Sequence, residues 1–201
     1  MKTRILVWDL PTRLFHWLLA TSFVGAFITA ESEYFRDLHV LLGYSVLGLI
    51  GFRLLWGIVG TRYARFTALA LGPTRLKRYL RSLVTGAPEH YVGHNPAGSW
   101  VIVGLLLLGL LAGATGYATY EELGGEWIED VHEGVSNTML ALVVVHVLGV
   151  LVSSVLHREN LVRAMVDGYK TGGPGEGIGS THWLIGVGVL LAAGVGLWSI
   201  L

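Results

Sequence analysis

The sequence predicts an all-α membrane helical bundle, with a four-helix core and a fifth C-terminal transmembrane helix. Three observations lead there. Apolar residues make up 53% of the chain and charged residues 14%, with a mean hydropathy of +0.60, where soluble domains hold about 25% charged residues. Five stretches fit a hydrocarbon core that needs about 20 apolar residues. Two histidines, His132 and His146, stand fourteen residues apart inside one of those stretches.

The first span, 14–30, follows Lys2, Arg4 and Arg13 and contains His16, a poor hydrophobic region for a secretory signal, so it reads as a retained helix. The second, 38–60, opens at Leu38, with His39 next to it, and contains Arg53. Its successor, 97–117, follows a loop punctuated by Gly93 and Pro96. The fourth, 131–156, begins with polar residues at the interface and holds both spaced histidines. Span 183–201 is reached through a Gly-rich linker, 171–182, which lacks the strand-to-helix context of a nucleotide cradle. Between the second and third spans, Leu76, Tyr79, Leu80 and Leu83 recur at helical steps with basic residues opposite, which describes an amphipathic helix on anionic membrane lipid. The connections are too small for a second soluble domain. The organisation is therefore a four-helix domain at 1–170, the linker, and the additional helix.

Charge placement orients the bundle. Lys2, Arg4 and Arg13 precede the first span, Arg62, Arg65, Arg75, Lys77, Arg78 and Arg81 fill the second connection, and Arg158, Arg163 and Lys170 follow the fourth span. By the positive-inside rule the N-terminus is cytoplasmic. The opposite connections hold Glu31, Glu33 and Asp37, then Glu121, Glu122, Glu126, Glu129, Asp130 and Glu133. Such a face either attracts a basic extracytoplasmic partner, such as a small c-type cytochrome, or simply populates the translocated side. No nucleic-acid partner is expected.

Histidine spacing supplies the chemistry. Fourteen helical steps leave His132 and His146 roughly 40° apart around the axis and roughly 21 Å apart along it, so one helix can serve two iron sites at two depths. Orientation pairs His16 with His146 near the cytoplasmic face and His39 with His132 near the outer face. Each pair can bind a haem through two imidazoles, as bundle-core cofactor sites do. Gly43, Gly134 and Gly149 offer room beside the ligands, although glycines also serve ordinary helix packing. With no cysteine in the chain, disulfides, thiolate-ligated clusters and covalent haem attachment are excluded. A lone histidine in an apolar helix is often just hydrogen-bonded, and His39 and His132 lie near enough to an interface to be solvated. A proton or metal transporter with relaying histidines is the alternative class.

Other polar residues have two readings each. Arg53 either snorkels to the headgroups or binds a propionate of the inner haem, and Arg13 and Arg36 are similarly placed for the inner and outer haems. His90, His94 and His182 read as loop or interface residues, while His157 reads as a solvated helix end, or as a propionate or quinone contact. Trp8, Trp17, Trp56, Trp100 and Trp183 fit an interfacial belt.

Taken together, the segments at 8–17 (Trp8 to Trp17, with His16), 38–44 (Leu38-His39 to Gly43-Tyr44), 93–98 (Gly93-His94-Asn95-Pro96-Ala97-Gly98), 131–133, 145–149 and 157–165 resemble the bacterial cytochrome b561 and nickel-iron hydrogenase b-type cytochrome family. The resemblance covers roughly residues 4–170 and implies a four-helix core with two non-covalent b haems on His16, His39, His132 and His146. It further implies electron transfer in the bacterial inner membrane, in a respiratory chain, between the quinone pool and an extracytoplasmic c-type cytochrome or hydrogenase-like protein. A haem-bearing membrane anchor of a larger complex, with no turnover of its own, is the other form of this reading. Many members stop after four helices, so the fifth span is a departure from the family pattern.

Overall fold

A computed structural model describes residues 3–198. Strand β1 (Thr3–Leu6) leads into helix α1 (Leu10–Thr29). Asp9 starts that helix: its carboxylate accepts the Thr12 N–H at 2.8 Å, with Pro11 in the first turn. Helix α2 (Arg36–Val59) follows a short turn, and helix α3 (Pro73–Val84) is the amphipathic segment of the second connection. Asn95 caps helix α4 (Pro96–Tyr120) by accepting the Gly98 N–H at 2.7 Å. Helix α5 (Glu126–Leu156) is the longest, at 31 residues. Helix α6 (Leu161–Asp167) ends at Gly168, whose φ of 87° is the left-handed conformation that glycine adopts without a Cβ penalty. Strand β2 (Tyr169–Gly172) and helix α7 (Trp183–Trp198) complete the described chain.

The all-α expectation holds, with 72% of the described residues helical. The α1–α2, α2–α4 and α4–α5 pairs pack as antiparallel neighbours, and α7 runs parallel to α1, with Leu10 N–H donating to Thr181 O at 2.9 Å where the two helices begin. Helix α1 lies along α2, α2 meets α4, α4 lies along α5, and α7 covers α1. Phe15, Phe23, Val46, Leu49, Ile50, Leu106, Met139 and Val189 form the buried core between them. Helix α5 lies chiefly against α4. Its buried residues are only Met139 and Ser153, which leaves most of its valine and leucine side chains outward, as a lipid-facing helix allows.

By length and composition, three described helical stretches suit a membrane crossing: Glu33–Val59, Pro96–Tyr120 and Glu126–Leu156. Helix α1 is 20 residues long, about 30 Å at 1.5 Å per residue, but Arg13 and His16 dilute its apolar character. Trp183–Gly196 is a shorter apolar helix, and the expected end of that span, 199–201, lies outside the described residues.

Two features join segments far apart in the chain. Strands β1 and β2 pair antiparallel, from Thr3 opposite Gly172 to Leu6 opposite Tyr169. The Gly-rich stretch continues this seam, with Ile178 N–H donating to Leu6 O at 2.8 Å and the Tyr63 hydroxyl donating to Glu176 O at 2.7 Å. Two of the five boundary tryptophans are not belt residues: Trp8 and Trp56 are each only 6% exposed. Trp56 turns inward because its indole N–H finds the buried Asp9 carboxylate at 3.2 Å.

Candidate functional site

Helix α5 presents His132 early and His146 two-thirds of the way along, and each meets a histidine from the α1–α2 hairpin. The His16 and His146 rings stand 6.3 Å apart between centroids, and the His39 and His132 rings 6.2 Å apart, at interplanar angles of 54° and 90°. An imidazole nitrogen bonds a transition metal at about 2.0 Å, so a linear imidazole–metal–imidazole unit sets its ring centroids roughly 6 Å apart. Both separations fit such a unit. Among the described residues, no group of three or more histidines, cysteines or carboxylates converges on a metal position. A bare ion would find two protein ligands at each pair, whereas an iron already held by four ring nitrogens needs two and no more. The donor sets therefore fit haem.

At the end of the bundle rich in acidic residues, both rings are held by the backbone. His39 Nδ1 lies 2.8 Å from Ala26 O on α1, and His132 Nδ1 lies 3.0 Å from Ala112 O on α4, with Thr115 Oγ1 at 3.2 Å. Carbonyls only accept, so each Nδ1 is the protonated nitrogen and each Nε2 is the basic one. Gly116 admits the His132 ring: a Cβ there would come within 2.8 Å of the ring's Cε1. Ligating histidines ordinarily give their second N–H to such an acceptor.

The opposite, basic end is built differently. Asp9, fully buried, accepts from Thr12, Trp56 and Thr61. Arg53 is 3% exposed, stacks its guanidinium 4.8 Å from the Phe66 ring centre, and leaves Nη1 buried without a partner. Of its two sequence readings, snorkelling is thereby removed. His94 packs against Trp8 with ring centroids 4.6 Å apart, and its Nδ1 is also sealed without a partner. Burial, followed by the charges of Arg53 and Lys170, pushes the His94 imidazole well below its ordinary pKa. His16 Nδ1, Thr12 Oγ1 and Arg13 Nε are likewise buried and unpaired. Unsatisfied buried donors are rare in folded proteins, and this cluster beside the His16–His146 pair is chemically suited to a carboxylate such as a haem propionate.

The remaining candidates are less involved. Arg13 donates from Nη1 to Val166 O at 2.5 Å, and Arg36 stands exposed at the start of α2. His157, at the end of α5, meets His90 edge-on at 5.5 Å, and its pKa is lowered by burial and by the nearby His90 and Lys170. Lys170 forms a buried ion pair with Glu159 at 3.4 Å, and burial lowers its pKa. A Cβ on Gly43, Gly134 or Gly149 would meet nothing within 4 Å, so all three leave open space.

His94 is the residue whose place the sequence reading missed. Its loop setting between Gly93 and Asn95-Pro96 looks like solvated punctuation. The signal available was Asn95 capping α4 directly after it, which fixes the loop against the bundle.

A family model described as "Prokaryotic cytochrome b561" matches residues 7–168. Curated relatives include the "Probable Ni/Fe-hydrogenase B-type cytochrome subunit" of Azotobacter vinelandii, 29% identical over 84% of this chain and 89% of that protein. The protein of the same name from Cupriavidus necator is 27% identical over 82% of this chain and 86% of its own length. The "Probable Ni/Fe-hydrogenase 1 B-type cytochrome subunit" of Escherichia coli K12 is 23% identical over 82% and 90%. No solved structure matches.

Proposed function

This chain belongs to the prokaryotic cytochrome b561 family, membrane cytochromes of electron transport, and on that premise we propose that it carries two non-covalent b haems. One is held by His16 and His146, the other by His39 and His132. The observation behind this reading is the pair of 6.3 Å and 6.2 Å imidazole separations made by two histidines of a single helix. Bis-histidine haem supplies one-electron transfer with no open position for a substrate.

The chain's own residues bind, orient and insulate. The carbonyls of Ala26 and Ala112 fix two rings in the tautomer that leaves Nε2 basic. Arg53 and His94 offer buried donors to the carboxylates at the basic end, with Arg13 beside them, and Arg36 stands at the other end. Leu49, Ile50, Leu106 and Met139 keep water from the space between the two levels. Residues 1–170 form the haem domain, 171–182 the connection, and α7 an added helix packed on α1.

By the positive-inside rule the basic end faces the cytoplasm of the bacterial inner membrane. Electrons then pass between the quinone pool and an extracytoplasmic partner that meets the acidic end. The names of the relatives make a Ni/Fe-hydrogenase the favoured partner over a c-type cytochrome, with this chain as its membrane subunit. Purification in mild detergent tests this. Two low-spin haems per chain and a co-purifying hydrogenase support the reading; a colourless protein, or one haem per chain, overturns the dihaem part.

A further inference from the structure

The two histidine pairs differ in what lies behind the rings. At the acidic end, both rings give Nδ1–H to main-chain carbonyls, Ala26 at 2.8 Å and Ala112 at 3.0 Å, and Thr115 Oγ1 adds a second acceptor for His132 at 3.2 Å. Among the described residues, no carbonyl or carboxylate accepts from His16 or His146, and His16 Nδ1 is buried and unpaired. An imidazole that donates from its far nitrogen becomes a more basic ligand. A more basic ligand stabilises the ferric state over the ferrous and lowers the reduction potential.

Charge acts in the same direction. Glu133 adjoins His132 in sequence, and Glu129 lies near enough to act on it electrostatically. At the basic end Arg53 and Lys170 act electrostatically on His94, which is itself within electrostatic reach of His16 and His146, and the two cations are partly offset by Asp9 and Glu159 respectively. Negative charge beside a site favours its oxidised form, and positive charge the reduced one.

Resting on the two-haem reading, we propose that the His39–His132 site is the low-potential one, and that Ala112, Thr115 and Gly116 of α4 act as a clamp that sets its potential by holding the His132 ring on the Ala112 carbonyl. Thr115 has its own hydroxyl proton directed to the Leu111 carbonyl at 2.8 Å or the Ala112 carbonyl at 3.1 Å, which leaves its oxygen free to accept from His132. Gly116 is small because a Cβ would enter the space of the His132 ring at 2.8 Å from Cε1 and 3.2 Å from Nδ1. None of the three offers a ligand of its own, so all are positioning residues.

Redox titration of the purified holoprotein, followed at the haem α-band, tests the proposal. Two components are expected, and the lower one is the component that survives in His16→Ala and disappears in His39→Ala. Thr115→Val, nearly isosteric, and Gly116→Ala should each raise the lower component and leave the upper one unmoved. Thr115→Val decides the clamp alone if Gly116→Ala fails to assemble. Reversed order, coincident midpoints, or equal movement of both components in the clamp variants overturns the inference while leaving two haems intact. A wild-type protein with a single haem overturns the two-haem reading first, and this inference with it.

Discussion

Asp9 should be the most sensitive non-histidine position in the molecule. Its carboxylate is 0% exposed and accepts the Thr12 N–H at 2.8 Å, the Trp56 indole N–H at 3.2 Å to either oxygen, and the Thr61 hydroxyl at 2.5 Å. Asp9→Ala removes a helix N-cap, worth about 1 kcal/mol. It also leaves two buried side-chain donors unpaired, at about 1–3 kcal/mol each. These terms share one site and are not additive, so the net loss should be about 3–5 kcal/mol. Asp9→Asn keeps the cap and one acceptor oxygen, and should lose about half as much. Arg53, which feels the Asp9 charge, should then be less well held, so haem content at the basic end should fall with stability. The assay is denaturant unfolding in mild detergent, read by tryptophan fluorescence with haem absorbance alongside. A loss under about 1 kcal/mol for Asp9→Ala, or equal losses for the two variants, would refute the argument that one buried carboxylate ties α1 to the end of α2.

Further outcomes follow from the same geometry. Gly57→Ala places a Cβ within 2.6 Å of three atoms of the Phe66 ring, so it should destabilise by about 1–3 kcal/mol through overpacking, measurable in the same unfolding assay. It should also disturb the Arg53–Phe66 stack. Because burial depresses the His94 pKa, the unfolded chain binds a proton that the native one refuses as pH drops below about 6.5, and stability should fall there by up to about 1.4 kcal/mol per pH unit. His94→Gln should flatten that slope. Arg4, exposed and paired to Asp167 at 2.9 Å, should cost less than about 1 kcal/mol when changed to alanine; a larger loss would mean that β1 is held by more than its ladder.

The helices and the histidine pairs are legible in the sequence because both are local or periodic. Apolar run length marks α2, α4 and α5, and the fourteen-residue interval between His132 and His146 states on its own that two rings share one helix face. Depth, read from basic and acidic connections, then selects the partners His16 and His39. Pairings between distant polar segments have no such signature. Nothing periodic in Thr3–Leu6 announces a partner at Tyr169–Gly172, and nothing near Trp56 announces Asp9, which lies 47 residues earlier. The same limit hid His94, whose neighbours Trp8, Arg53 and Lys170 come from three separate parts of the chain. Arg53 was recognisable as unusual from its place in an apolar helix, but only its burial chooses between the membrane surface and the bundle interior.

The most direct test of two paired iron sites is a haem count and reduced-minus-oxidised spectrum on four single variants, His16→Ala, His146→Ala, His39→Ala and His132→Ala. Two per chain should become one in each, with matching residual spectra for His16→Ala and His146→Ala, and a second matching set for the other two. Full retention in any variant, or residual spectra that match across the pairs instead of within them, contradicts the account.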